Sequence, residues 1–230
     1  MSSESGEPSL SAACVGAART RGMLVVVSSP SGGGKGTLIR RVLKTVPDLG
    51  YSVSYTTRAP RTGEIHGRDY FFVSLEVFKE MEGAGQFLEW APVHGHFYGT
   101  SCAQVEREMG EGRDIILEID VQGAESVRRI APTAVTVFIL PPSFEVLKQR
   151  LTARGTEAGA NLELRLRNAR AEVEHYREFA YVIINDDADR AAAQLASVIY
   201  AERARRERQE FAASRVLETF KEAEREEVGG

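Results

Sequence analysis

Apolar residues along the chain gather into short continuous runs separated by stretches of helical periodicity. The runs "MLVVV" (Met23 to Val27), "DIILEI" (Asp114 to Ile119), "AVTVFIL" (Ala134 to Leu140) and "YVII" (Tyr181 to Ile184) are rich in Val and Ile and apolar on both faces. Such runs predict strands buried in a parallel sheet. Between them, Leu38, Ile39, Val42, Leu43 and Val46 form one helical stripe, and Phe144, Leu147 and Leu151 another. Strand–helix alternation of this kind predicts βαβ units, and so an α/β fold with a three-layer core around a parallel sheet.

Two regions depart from that rhythm. Residues Tyr51 to Ser74 alternate in period two with Gly and Pro punctuation, and Phe87 to Thr100 continue the pattern. Together they predict a small β-rich insertion. From Ala188 onward the chain is helical and heavily charged, as in "AERARRERQEF", which reads as a solvated helix face, with oligomer contact as the alternative.

Composition narrows the class. The chain has 230 residues, 43% of them hydrophobic, enough for one sizeable core with inserted parts. Its net charge of −4 provides no global basic field for duplex nucleic acid. Cys14 and Cys102 belong to no C-x-x-C pair, which points to a reducing, cytoplasmic setting without disulfides or a thiolate metal site. No apolar run approaches the roughly 20 residues that span a bilayer, so no membrane partner is expected. The first twenty residues are small and polar and predict a disordered leader, and Glu4 and Glu7 count against a transit peptide. His94 and His96 lie two apart with no third ligand nearby and read as surface residues.

The stretch "SSPSGGGKGT", Ser28 to Thr37, joins the first apolar run to the first helical stripe. It resembles G-x-x-x-x-G-K-[ST] but has Ser29 at the first glycine and Gly36 at the hydroxyl position. Ser29, Pro30, Ser31, Gly32, Gly33 and Gly34 form a turn whose glycines let backbone N–H groups wrap an anion. The helix beginning near Gly36 adds its positive dipole end, and Lys35 adds a point charge for the β- and γ-phosphates. Ser29 keeps the turn residue small, and Thr37 brings a hydroxyl to the first helical turn. The loop reads as a triphosphate site in which direct hydroxyl ligation of Mg2+ is the feature put in question.

The insertion supplies the acceptor. "TTRAPRTGE", "GRDYFFV", "LEWAPVHGHFYGT" and "ILEIDVQG", with the loop, "LKQRLTARGTE" and "INDD", resemble the guanylate kinase family over roughly Met23 to Glu202. The resemblance implies a P-loop nucleoside monophosphate kinase that uses ATP and Mg2+ to phosphorylate GMP. Arg58 and Arg61, with Tyr70 and Tyr98, would hold the monophosphate, and Glu64 would buttress the arginines. Guanidinium forks match phosphate oxygens. Ser54 and Thr100 would approach guanine O6, and Glu89 would accept from N1–H and the 2-amino group. Glu118 stands where many members have Asp, keeping the charge with longer reach. Arg150 and Arg154, four apart on one helix face, and Arg165 would close over the transferring phosphoryl group as a lid. Lys35, Arg58, Arg150, Arg154 and Arg165 are thus the implied catalytic set, and Asn185 would contact adenine.

Asp120 ends a strand where α/β folds place ligands. It reads either as a cleft carboxylate near the base pocket and the Mg2+ water shell or as the N-cap of a helix opening with "VQGAESV". The expected organisation is a leader over 1–21, a domain over 22–207 and a charged helical tail over 208–230. Within the domain, 22–51, 101–150 and 171–207 form the core, 52–100 the insertion and 151–170 the lid. A family-like module that binds phosphopeptides without catalysis is disfavoured by the intact Gly34, Lys35, Arg150 and Arg154. A kinase for a ribose phosphate would have no use for Glu89 with Ser54. A homo-oligomer is compatible with the sequence.

Overall fold

A computed structural model describes residues 21–93, 95–153 and 160–229. The leader to residue 20, His94 and Arg154 lie outside the described residues. The core is a five-stranded parallel sheet of order β2-β7-β1-β8-β9. Its central strand β1 (Leu24–Ser28) is buried throughout, between β7 (Asp114–Glu118) and β8 (Val135–Leu140). The edges are β2 (Leu49–Tyr51) and β9 (Tyr181–Ile184). Helices α1 (Lys35–Thr45) and α7 (Ala188–Arg203) cover one face, burying Leu38, Ile39 and Val42 beside Leu195 and Ile199. On the other face α3 (Cys102–Gly110) and α4 (Val121–Ile130) bury Val105, Val121, Ala124 and Val127. Three of the runs apolar on both faces, β1, β7 and β8, are covered on both sides in this way.

The insertion is a second, four-stranded sheet of order β4-β3-β6-β5. It comprises β3 (Tyr55–Thr56), β4 (Phe71–Phe72), β5 (Phe87–Val93) and β6 (His96–Ser101). It also holds a helix, α2 (Leu75–Gly83), that the sequence reading of a β-rich unit passed over. Ser74 caps α2 by accepting the Val77 N–H, and Phe78 stacks on Phe87 at 4.5 Å between centroids. The lid consists of α5 (Phe144–Ala153) and α6 (Ala160–Val173), joined through Leu147, Leu151 and Ala169. A final helix, α8 (Arg206–Gly229), leaves Val216, Leu217 and Phe220 exposed.

Three expectations change. Strand β2 was too short, at three residues, to show as an apolar run. Strand β9 was expected to be buried on both faces, but as an edge strand it leaves Val182 and Ile184 exposed. Helix α7 is no solvated face, because Ala191, Ala192, Leu195 and Ile199 are buried against the sheet and α1. Charge on its outer side hid that stripe. Among the described residues, no helix is long and apolar enough to cross a membrane.

Since Leu195 is fully buried in that contact, Leu195→Ala should cost about 2–4 kcal/mol of stability. Chemical denaturation of the two proteins measures it.

Candidate active site

The loop from Ser29 to Gly36 leaves the carboxyl end of β1 and enters α1, with Gly34 at the N-cap in the left-handed region (φ 93). A side chain at Gly34 would be strained by that φ, and its Cβ would stand 2.4 Å from Asn185 Nδ2. Ser29 is buried, and its hydroxyl donates to the Pro30 carbonyl at 3.0 Å. A Cβ on Gly33 would lie 2.8 Å from that of Ser29. Ser29 can therefore replace the first glycine because the facing position carries no side chain.

The second departure has a counterpart on β7. A Cβ on Gly36 would meet the two carboxylate oxygens of Glu118 at 3.0 and 3.2 Å. The longer acid fills the space that a Ser or Thr at 36 would claim. Tyr51 donates to the same carboxylate at 3.3 Å. Burial, and then the Glu118 charge, push the Tyr51 phenol well above its usual range. Glu118 is a site residue that its pattern alone did not assign a role. The signal was the pairing of Gly36 with an acid one carbon longer.

Two adjoining cavities meet at the loop. One of about 510 Å3 is lined by Lys35, Gly36, Thr37, Arg40, Arg61, Arg68 and Glu118 among others. The second, of about 260 Å3, runs from Ser29, Gly32, Lys35 and Arg165 to Ser54, Tyr70, Glu89, Tyr98 and Asp120. Residues from the loop, the insertion, β7 and the lid thus face one space. Lys35 makes no hydrogen bond or ion pair among the described residues.

In the insertion, Arg58 grips Glu64 through Nη1 and Nη2 at 2.8 and 2.9 Å, donates Nη1 to the Ala59 carbonyl and Nε to Tyr98. Four of its five N–H groups are committed. The Arg58 bond holds the Glu64 carboxyl below the usual range, and Glu64 raises Arg58 in turn. The Arg58 guanidinium also lies 5.2 Å from the Tyr70 ring centre. The Arg61 N–H donates to Glu64 at 2.7 Å, while its guanidinium makes no bond among the described residues and lines the larger cavity. So the expected buttress exists, and it leaves Arg61 the freer of the two cations.

Glu89 is buried on β5 and accepts the Thr100 hydroxyl at 2.6 Å. Its other oxygen lies 2.6 Å from where a Cβ on Gly123 would stand. Burial pushes the carboxyl up to about 7; the Thr100 bond opposes this, and the Asp120 charge adds to it. Asp120 is the N-cap of α4, accepting the Gly123 N–H at 2.9 Å, and it also lines the smaller cavity. The N-cap reading of Asp120 is the one observed.

Of the four buried side-chain atoms without a partner among the described residues, three lie by the loop and the fourth is Arg128 Nη1 on α4. The three by the loop are Ser28 Oγ, Arg150 Nη1 and Asn185 Oδ1. Arg150 Nη2 donates to the Asn185 carbonyl at 2.8 Å, and its Nη1 lies 3.8 Å from the Cβ position of Gly34. Asn185 Nδ2 donates to the Gly33 carbonyl at 2.9 Å, so its amide braces the loop, and its Oδ1 has no partner among the described residues. Arg165 donates to the Ser31 hydroxyl at 3.1 and 2.8 Å. Arg154 lies outside the described residues.

The model of the guanylate kinase family matches residues 21–202. The chain belongs to the guanylate kinase family. It is 48% identical over 189 residues to a guanylate kinase of Rhizobium meliloti, covering 82% of this chain and 86% of that one. It is 48% identical to a guanylate kinase of Nitrosomonas europaea, over 81% and 92% of the two chains. The crystal structure of guanylate kinase from Anaplasma phagocytophilum superposes with a TM-score of 0.70 at 34% identity, covering 81% of this chain and 89% of that one. The fold expected of a guanylate kinase, a P-loop core with a parallel sheet, insertion and lid, is the fold observed.

Two predictions follow from this geometry. Ser29→Gly should leave the ATP KM within a few-fold, whereas Ser29→Val, branched against Gly33, should raise it at least tenfold (~1.4 kcal/mol); steady-state kinetics separates them. The second concerns Glu89, whose ordinary carboxyl value is 4.5 and whose folded value is about 7. The folded chain holds the extra proton between those values, so the stability contributed is full below about pH 4.5 and is lost as pH rises through about 7. Urea unfolding of the ligand-free protein should show a decline on the order of 3 kcal/mol across that window, and Glu89→Gln should flatten it.

Proposed function

We propose that this chain transfers the γ-phosphoryl group of ATP to GMP, giving ADP and GDP, with the residues facing the two adjoining cavities. It is an ATP-dependent phosphotransferase of the guanylate kinase family. The observation that carries the residue assignment is the smaller cavity, which joins the phosphate loop to a buried carboxyl. ATP lies with its phosphates on the N–H groups of Gly32 to Gly36 and on Lys35, and its adenine side toward Asn185 Oδ1. GMP lies in the insertion, its phosphate between Arg61, Tyr70 and Tyr98, with Arg58 held ready by Glu64.

The base is read by Glu89. Guanine offers N1–H and a 2-amino group, two parallel donors for one carboxylate, while Ser54 and Thr100 approach O6. Adenine has an acceptor at N1 and no 2-amino group, so it leaves the buried carboxyl unsatisfied. Two guanine donors favour the ionised form and return Glu89 toward the charged state that recognition needs.

Phosphoryl transfer needs no protein nucleophile. Charge spreads over the equatorial oxygens in the transition state, where Lys35, Arg150 and Arg165 would supply the compensating positive charge. Arg154 joins this set by the family pattern. Among the described residues, no group of three or more His, Cys, Asp or Glu could hold a metal. Thr37 and Glu118 offer only hard oxygen donors beside the loop, a set suited to Mg2+ carried chiefly by phosphate and water. When bound, the ion shields the β- and γ-oxygens. Closing insertion and lid over the nucleotides excludes water and so protects ATP from hydrolysis. The cysteine usage supports a reducing, cytoplasmic setting for the reaction.

The deciding experiment is a coupled assay of ATP with GMP, AMP, CMP or UMP for the wild type and Glu89→Gln. The wild type should prefer GMP. In the variant one acceptor becomes a donor facing a guanine donor, so kcat/KM for GMP should fall on the order of ten- to a hundredfold or more, from roughly 1.5–3 kcal/mol lost. AMP use should not fall, and the ATP KM should barely move. Unimpaired GMP use would remove Glu89 as the reader of the base.

A further inference from the structure

Glu172 lies seven positions beyond Arg165 on α6, about 10.5 Å along the helix axis and close to the same face. Despite that separation both side chains end on one loop residue. Arg165 donates Nε and Nη2 to the Ser31 hydroxyl at 3.1 and 2.8 Å, and Glu172 accepts the Ser31 backbone N–H at 2.8 Å. Ser31 and Glu172 both line the cavity that contains Lys35 and Arg165. A carboxylate in a cavity built for phosphates is unfavourable electrostatically unless it performs a task there.

Packing beside it defines the task. Gly32, the next loop residue, has φ 87, and a Cβ there would come within 2.9–3.0 Å of Leu151 and Leu147 on α5. Those leucines share a small core with Leu162, Leu166 and Ala169 of α6. The lid therefore rests on the loop at Ser31 and Gly32, with apolar contact from α5 and polar contact from α6. The apolar contact can slide, whereas hydrogen bonds of 2.8 Å between a carboxylate and a fixed backbone N–H define register.

We propose that Glu172 and the Ser31 hydroxyl are positioning residues for Arg165, clasping α6 to the phosphate loop so that its guanidinium stands over the transferring phosphoryl group. Glu172 fixes the helix against the loop backbone, and the Ser31 oxygen, both lone pairs used, seats the guanidinium. Misplacement of a catalytic cation by about 1 Å can cost on the order of a hundredfold in rate, so small shifts of α6 matter. This inference rests on the assignment of Arg165 to phosphoryl transfer.

The test uses the full chain with Arg165→Ala, Glu172→Ala, Glu172→Gln, Ser31→Ala and the Glu172→Ala/Arg165→Ala double variant. Steady-state kcat and the KM values for ATP and GMP are measured, with thermal unfolding to verify folding. Glu172→Ala and Ser31→Ala should each lower kcat about ten- to a hundredfold and leave the GMP KM within about twofold, the split expected of a transition-state contact. Glu172→Gln keeps an acceptor oxygen for the Ser31 N–H and should recover to within about fivefold of wild type. In the double variant, removing Arg165 should add little to the loss from Glu172→Ala, since the misplaced guanidinium no longer acts. If Arg165→Ala lowers kcat and both Glu172→Gln and Ser31→Ala keep it along with Glu172→Ala, the clasp is overturned while the assignment of Arg165 stands. If Arg165→Ala itself keeps kcat, the assignment fails first and the clasp with it. A rise in kcat for Glu172→Ala would show a restraining contact and would also overturn the proposal.

Discussion

Everything in this molecule closes on a short length of bare backbone. At Gly32 the leucines of the lid, at Gly33 the side chain of Ser29, at Gly34 the amide of Asn185 and at Gly36 the carboxylate of Glu118 all come within 3.0 Å of where a Cβ would stand. Protein interiors tolerate no such overlap, so each contact exists only because the loop lacks side chains there. The glycines are usually explained by the anion on the inner side of the turn. Here they serve the outer side equally, and the lid, the end of β9 and the end of β7 take their places from the loop they surround.

Charge is sorted by the same arrangement. Cations gather around the loop and lid, where phosphates collect negative charge. The buried acid Glu89 sits in the insertion, where the proposed reading places the base. Arg58 and Glu64 neutralise one another between these zones and hold the insertion rigid at its phosphate end. Pairing at Arg58 also explains why its neighbour Arg61, rather than Arg58, keeps its guanidinium open toward the cavity.

Much of this was legible in the sequence. Continuous Val and Ile runs gave the three inner strands β1, β7 and β8, because burial on both faces leaves no polar positions to confuse the period, and the edge strand β9 showed the same apolar run although one of its faces is exposed. The loop was legible because it needs glycines and a lysine at a fixed spacing, whereas the Arg58–Glu64 and Thr100–Glu89 contacts were reached only through the family resemblance. Strand β2 was not legible, since three residues cannot display a period. Helix α7 was misread because its charged outer face outweighed four small or apolar inward positions. Glu118, Glu172 and the bracing role of Asn185 depend on what stands opposite them across tens of residues, and no local pattern encodes that.

Glu89, the acid proposed to read the base, also lies on a seam. Glu89 belongs to the insertion sheet, yet its carboxylate presses against Gly123 and feels Asp120, both on the core side. Its burial, the first cause of its raised pKa, is thus supplied jointly by two bodies joined through the segments between β2 and β3 and between β6 and α3. Any hinging of the insertion that admits water to the seam lowers the proton affinity of Glu89. In the nucleotide-free protein, opening of the seam is therefore an acid–base event at Glu89 as well as a movement.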